Sequence, residues 1–297
     1  MDENLFAMFM SLDDTPRVRE RTHQTPIGWI GSKARSLDYI LPHIPYRKGY
    51  VEPFGGSGSV LIARKPSPLE VYNDKFGGVT NFYRVIRDKS LYNKLIERLE
   101  LTVHSRLEFE WCRDTWELTD DPVERAARWY YANENSFGKK GKAFARATGK
   151  MGQFGRALHK SLEGFPVIHQ RFYNVQVECL DWRQILTDYD NPNTVFYLDP
   201  PYLGTYSGVY KFEMRKDEHA EMLERIFHLE GFVALSGYAN PETLSLYDKY
   251  PWDSCQRWQI HSTMLAQAFT QENNLASKQD ELKRSAATEC LWIKEAK

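Results

Sequence analysis

The 297-residue chain lacks most of the features that mark large protein classes. It has four cysteines, Cys112, Cys179, Cys255 and Cys290. No two stand at metal-ligand spacing and no disulfide framework follows, so they read as reduced, part-buried thiols of a cytosolic protein. The eight histidines show no paired metal spacing, and no Ser-His-Asp set stands out, which leaves no candidate for a metal centre or a covalent nucleophile. No apolar run reaches the roughly 20 residues that cross a bilayer. Met1-Asp-Glu-Asn4 opens acidic, without the apolar stretch of a signal peptide. The expectation is a soluble intracellular protein with no membrane partner. Charge excess is missing too: the formal net charge is −1, so a surface for a polyanion must be local. Gly-x-Gly-x-x-Gly and the P-loop Gly-Lys-Ser/Thr are both absent, which disfavours a nicotinamide-dependent oxidoreductase and a phosphate cradle.

What is present is a set of strand ends. Val195-Phe-Tyr-Leu198 reads as a buried strand that stops on Asp199-Pro-Pro-Tyr202. Neither proline can donate to a sheet ladder, so the strand ends with Asp199 at its carboxyl end, where open α/β sheets place their ligands. A carboxylate, fixed carbonyls and an aromatic suit a planar hydrogen-bond donor; taken alone, a solvated proline turn fits as well. Upstream, after Gly49, a short strand Tyr50-Val-Glu52 leads into Pro-Phe-Gly-Gly-Ser-Gly58 and then a helix from Val60 to Arg64. This strand, glycine turn and helix lets a nucleotide-like ligand approach the backbone. A second strand, Leu69–Tyr72, ends on Asn73-Asp74. Asp74 is placed for a ribose diol or for capping the helix expected over Phe76–Arg87. A third, Val175–Cys179, closes on Asp181-Trp182, an acid and an aromatic suited to an adenine ring. Thr25-Pro-Ile-Gly-Trp-Ile-Gly-Ser-Lys33 precedes all of these, with a helix expected through Ile44. Trp29 offers a flat apolar surface and Lys33 a cation, although Trp29 packed into a core explains the loop alone.

Between Lys89 and Arg171 the α/β rhythm breaks. Helices are expected at Leu91–Leu101 and Val123–Asn133. From Gly138 to Lys160 come Lys139, Lys140, Lys142, Arg146, Lys150, Arg156 and Lys160 with no acid, interleaved with Phe144 and Phe154. A glycine-rich basic segment of this kind suits the tracking of a phosphate backbone. After Tyr202, residues 204–208 read as a lid or substrate loop. Lys216–Leu229 is a helix with Ala220, Leu223 and Phe227 on its apolar face. Phe232–Gly237 is a strand, Pro241–Tyr250 a helix, and Ser254–His261 and Glu289–Lys294 two closing strands. The polar tract 271–285 reads as an exposed loop. Residues 1–24 form an N-terminal extension.

In this order the Trp/Lys loop, the Phe-x-Gly-x-Gly turn, the acids at two strand ends and Asp-Pro-Pro-Tyr resemble the Dam-like, D12-class DNA adenine-N6 methyltransferases of the α permutation. The resemblance implies a Rossmann-like α/β methyltransferase fold with a mixed, mostly parallel seven-stranded sheet. It implies a discontinuous catalytic domain, 25–88 and 171–297, and a small, mostly helical target-recognition domain at 89–170. By that resemblance S-adenosylmethionine, with no metal, is held by Trp29, Lys33, Phe54, Gly55, Gly56, Gly58, Asp74, Asp181 and Asp199. Asp199, Pro200, Pro201 and Tyr202 carry the chemistry. Double-stranded DNA is the partner, met by Lys139, Lys140, Lys142, Arg146, Lys150 and Arg156, with a cognate restriction endonuclease acting separately and a cytoplasmic location in a bacterial or phage-infected cell. An adenine buried in the duplex would be flipped out and stacked on Tyr202, its amino hydrogens accepted by Asp199 and the Pro200 carbonyl. Cytosine-N4 or RNA adenine methylation on the same fold, and a non-catalytic DNA-binding protein with a decayed site, are the alternatives.

Overall fold

The computed structural model describes residues 25–139, 141–145, 161–204, 212–261 and 286–297. A 3-10 turn, Lys33–Arg35, leads to α1 (Leu37–Ile40) and a further 3-10 turn, Leu41–His43. The continuous helix expected through Ile44 is broken because Pro42 has no N–H to give to the preceding turn. Then follow β1 (Gly49–Glu52), α2 (Ser59–Ala63), β2 (Leu69–Asn73), α3 (Gly77–Arg87), α4 (Lys89–Glu100), α5 (Arg106–Thr115) and α6 (Pro122–Glu134). Beyond these lie α7 (Phe165–Phe172), β3 (Gln176–Glu178), α8 (Trp182–Asp188), β4 (Thr194–Leu198) and α9 (Lys216–His228). The chain closes with β5 (Phe232–Tyr238), α10 (Pro241–Tyr247), β6 (Ser254–His261) and β7 (Ala286–Lys294).

The seven strands form one sheet in the order β3-β2-β1-β4-β5-β7-β6. β1 pairs in parallel with both β2 and β4, and β3 and β5 extend these pairings outward, also in parallel. β7 runs antiparallel between β5 and β6. This is the mixed, mostly parallel sheet that the family resemblance implied. The chain winds one way from β1 to β2 and β3 and the other way from β4 to β5, so the crevice at the carboxyl ends of β1 and β4 is the switch point where such sheets bind ligands.

Strand alternation divides the core in two. Tyr50, Tyr72, Val195, Tyr197 and Leu291 face one layer of helices, and Val51, Val71, Phe196, Leu198 and Trp292 face the other, α8, α9 and α10. The first layer joins α3 to the inserted helices: Phe82 stacks on Tyr130 of α6 at 5.0 Å, and Tyr83 on Phe172 of α7 at 4.2 Å. The segment 89–170 therefore shares a core with the sheet through its described helices. α5 was not expected, yet Ser105 caps it by accepting from the Glu108 N–H at 3.0 Å, the Ser-x-x-Glu spacing of a helix start.

α9 is turned from its expected face. His219, Met222, Leu223 and Ile226 are the buried positions, while Ala220 and Phe227 are part-exposed. A polar ring takes the innermost place because it is satisfied there. His219 Nε2 lies 3.0 Å from the Pro201 carbonyl and Nδ1 2.7 Å from the Tyr247 hydroxyl. A carbonyl can only accept, so Nε2 carries the proton and Nδ1 accepts from Tyr247. Burial lowers the ring's pKa to about 4 and keeps it neutral.

Candidate active site

A cavity of about 670 Å³ opens at the switch point. The glycine turn leaves β1 directly into it. Gly56 takes φ +50°, and a Cβ there would stand 2.7 Å from the Trp29 indole nitrogen, so turn and indole meet through the missing side chain. Trp29 is wedged between Phe76 and Trp129, at 6.2 and 6.4 Å between ring centroids. The loop thus does both things its sequence allowed: it packs a tryptophan against the inserted α6 and lines the cavity. Phe54 tilts against Trp182 at 6.3 Å, which gives the cavity a second aromatic wall.

Asp74 bonds backbone at the start of α3, as one of its two readings allowed, and at the glycine turn as well. One oxygen accepts the Phe76 N–H at 2.8 Å where α3 begins, and the other the Gly56 N–H at 2.9 Å. It ties β2 to the glycine turn while lining the cavity. Burial outweighs those two hydrogen bonds and raises its pKa to about 6. Asp181 caps α8 by accepting from the Arg183 N–H at 3.1 Å and takes Lys75 Nζ at 3.2 Å. Partial burial pushes its pKa up, but the Arg183 N–H and the Lys75 and Arg183 cations hold it below the usual carboxylate range.

Asp199 is held by a cation. Lys33 is almost completely buried, and its Nζ gives hydrogen bonds to Asp199 Oδ2 at 2.7 Å and to the Gly31 carbonyl at 2.9 Å. Burial disfavours an ammonium, but Asp199 and Glu289 outweigh it and raise the Lys33 pKa well above the ordinary value. Asp199 is pushed above the usual range by burial, which Lys33 opposes and Glu289 reinforces. Lys33, expected among the cofactor contacts, is therefore the counter-ion of Asp199.

Pro200 and Pro201 line the cavity with Asp199, and Tyr202 stands behind them. The Tyr202 ring is 6 % exposed and sits edge-on to Tyr238 at 4.5 Å, its hydroxyl donating to Glu289 Oε1 at 2.9 Å. Its expected place as an open stacking platform is not the one it occupies. Gly58 lies under the turn, with φ +65° and Phe172 and Tyr83 as its neighbours, and takes no part in the lining.

The inserted segment closes the other side. The Phe137 N–H donates to the Ala143 carbonyl, and the Ala145 N–H to Asn135, so the chain doubles back in a hairpin beside the cavity. Lys139 was expected to meet phosphate. Its side chain instead lies across Gly28 and pairs with Glu134 at 2.7 Å, a carboxylate that also accepts the Gly28 N–H. Lys142 is exposed at the cavity rim. Lys140, Arg146, Lys150, Arg156 and Lys160 lie outside the described residues, as do the extension 1–24, most of the loop 204–208 and the tract 271–285.

The family model for D12 class N6 adenine-specific DNA methyltransferase matches residues 29–259. The chain belongs to this family. The match begins at Trp29 and takes in both strand ends that border the cavity. The chain is similar to the DNA adenine methylase of Salmonella typhi, 23 % identical over 274 residues that cover 86 % of this chain and 92 % of the relative. It is similar to that of Escherichia coli strain K12, 24 % identical over 267 residues with 86 % and 92 % covered. A further DNA adenine methylase, of Salmonella typhimurium, is 25 % identical over 186 residues, 59 % of this chain and 63 % of the relative. This D12-class methyltransferase thus acts in DNA adenine methylation. None of these similarities supports a partner endonuclease.

Three buried side chains at or behind the candidate site escaped the sequence reading. Glu52, at the end of β1, lines the cavity and accepts the Tyr50 hydroxyl at 2.6 Å. Burial raises its pKa to about 8, against the pull of Tyr50, the Leu61 N–H and Arg64, so it is protonated at neutral pH. Glu289 comes from β7 and His219 from α9. The signal was faint in each case: one acid inside an apolar strand, or one histidine on a helix. Among the described residues no group of three or more histidine, cysteine or acidic side chains gathers as a metal site, and no helix is long and apolar enough to cross a membrane.

Proposed function

We propose that the cavity at the β1–β4 switch point binds S-adenosylmethionine and a flipped adenine of double-stranded DNA together, and that Asp199 is the group that accepts the adenine amino group. About 670 Å³ lies within the 300–1,000 Å³ of ligand pockets, enough for a nucleoside cofactor and one base. The cofactor fits what lines the cavity: a glycine turn that closes on the Trp29 indole because Gly56 carries no Cβ, and two acids with lone pairs still open to hydroxyl or amino donors. Trp29, Phe54, Gly55, Gly56, Asp74 and Asp181 would hold it, with Gly58 shaping the turn beneath. When bound, it supplies a methyl group on a sulfonium.

The observation that carries the reading is the Lys33–Asp199 pair at 2.7 Å on the cavity wall. Lys33 engages Oδ2, Oδ1 would accept one amino hydrogen, and the Pro200 carbonyl the other. With both hydrogens held, the nitrogen lone pair is drawn out of conjugation with the ring, and the carboxylate stabilises the positive charge that grows on nitrogen. The neutral His219 fixes the Pro201 carbonyl and so the course of the loop. Stacking of the base on Tyr202 calls for its ring to leave Tyr238 when DNA binds. Lys142, on the rim, meets the phosphate backbone, with Lys140, Arg146, Lys150 and Arg156 supplying the rest of the basic track. A cytoplasmic location follows from a bacterial DNA substrate.

Asp199→Ala tests the assignment. Methyl transfer to a duplex substrate should fall by at least a thousandfold, while DNA binding in a mobility-shift assay stays within a few-fold. Substantial residual transfer would refute the role given to Asp199.

A further inference from the structure

Glu289 comes from the strand farthest in sequence from the glycine turn, and its carboxylate is 2 % exposed. The register of β7 sets it between Tyr238 of β5 and Trp258 of β6. Oε1 accepts the Tyr202 hydroxyl at 2.9 Å and Oε2 the Ser36 hydroxyl at 2.9 Å. Lys33 Nζ lies 3.5 Å from Oε1 and 2.7 Å from Asp199 Oδ2. A buried and a part-buried carboxylate thus share one ammonium, and the buried one is bonded to the last residue of Asp-Pro-Pro-Tyr.

We propose that Glu289 is a positioning residue for methyl transfer, which divides the charge of Lys33 and anchors Tyr202 so that Lys33 does not wholly offset the Asp199 carboxylate, which stays a strong acceptor for the adenine amino group. The inference rests on the role given to Asp199 above. Burying a carboxylate among apolar strands is costly unless it is paired, and a structural anchor for Tyr202 and Ser36 needs only a neutral acceptor. The charge makes sense through Lys33. Paired with Asp199 alone, the ammonium would neutralise the carboxylate and weaken its hold on a nitrogen that turns positive. Drawn also toward Glu289, Lys33 orients Asp199 without cancelling it. The groups that face Asp199 are Lys33 from the first 3-10 turn, Glu52 from β1, Tyr197 from β4, Tyr202, and Glu289 from β7. Glu289 acts on Asp199 in the direction this division requires, raising its pKa.

Glu289→Gln keeps the shape and an acceptor for Tyr202 but removes the charge. In single turnovers with saturating enzyme, the rate should fall about tenfold or more. The acid limb of its pH profile should move down by on the order of one to two units, the size of one like-charge repulsion across a shared ammonium at an effective dielectric of about 20. Dissociation constants for S-adenosylmethionine and DNA should not change. Ser36→Ala should move the limb the other way: deprived of a donor, Glu289 draws Lys33 harder and leaves Asp199 less compensated. A neutral anchoring role would shift neither limb. If Glu289→Gln does not fold, Ser36→Ala decides alone, and a wild-type limb overturns the proposal. Asp199→Ala is run alongside. Transfer by that variant would overturn the site assignment itself, whereas an inactive Asp199→Ala with unmoved limbs in the other two overturns only the part given to Glu289.

Discussion

Removal of the Lys33 ammonium gives the most direct reading of how the site is held. Lys33→Met keeps the aliphatic stem and deletes the charge, leaving Asp199 and Glu289 without the cation they share at 2.7 and 3.5 Å. Breaking a buried pair from one side costs about 3–5 kcal/mol, because the remaining charge loses its partner. Here two carboxylates are left, at 18 % and 2 % side-chain exposure, and the cheapest response is for one to stay protonated. That fixes the sign of the pH dependence. In the unfolded chain both acids ionise near pH 4, while in the folded variant one holds its proton to much higher pH. The folded variant then binds the extra proton throughout that window, so its stability falls as pH rises, by at most about 1.4 kcal/mol per unit per proton. Between pH 5 and 8 this amounts to about 4 kcal/mol, in line with the cost of the broken pair.

Urea denaturation of wild type and Lys33→Met at pH 5 and pH 8 measures it. The variant should lie within about 1 kcal/mol of wild type at pH 5 and about 3–5 kcal/mol below it at pH 8. Methyl transfer should be lost at both. A stability difference that is the same at both pH values would refute the reasoning, since it would mean that Lys33 contributes packing and that neither carboxylate depends on its charge.

Two further changes probe the floor of the cavity. Glu52, with its pKa raised to about 8 by burial, binds a proton that the unfolded chain releases near pH 4.5, so it costs the wild type stability as pH rises between those values. Glu52→Gln should flatten the loss between pH 6.5 and 8, where Asp74, near 6, acts alike on both proteins, by about 1–2 kcal/mol; parallel wild-type and variant curves would count against a protonated Glu52. Gly55→Ala would drive a Cβ into the Tyr72 ring, whose hydroxyl holds the Gly56 carbonyl at 2.6 Å. A loss of about 1–3 kcal/mol and weaker S-adenosylmethionine binding by calorimetry are expected, and an unchanged melting point with full binding would show that the turn is not set by this contact.

How far the site could be read from the sequence depends on whether a feature is written locally. Asp199, Asp74 and Asp181 stand where β-formers give way to proline, to Asn73 or to a helix start, and backbone chemistry alone ends a strand there. The structure puts all three on one cavity because parallel strands deliver their carboxyl ends to one edge. Partners were not legible. Lys139 counts as a positive charge in the sequence, and only the hairpin that brings it over Gly28 shows the charge met by Glu134. Periodicity set α9 with Phe227 inward, but a histidine with both nitrogens satisfied is as well buried as a methionine, and patterning treats it as polar.

Glu289 is the extreme case. It stands 87 residues from Tyr202 in a strand that pairs antiparallel to β5, so no rule about parallel strand ends points to it. Yet the antiparallel direction of β7 is what makes the contact. β7 runs opposite to β4 and β5, so its early residues lie at the edge of the sheet where β4 and β5 finish. The register that pairs Glu289 with Tyr238, the last residue of β5, carries an acid to the same edge as Asp199. A β7 parallel to its neighbours would reach that edge only with its last residues. The reversed strand thus adds a second carboxylate from behind the site, on the far side of Lys33 from the cavity wall.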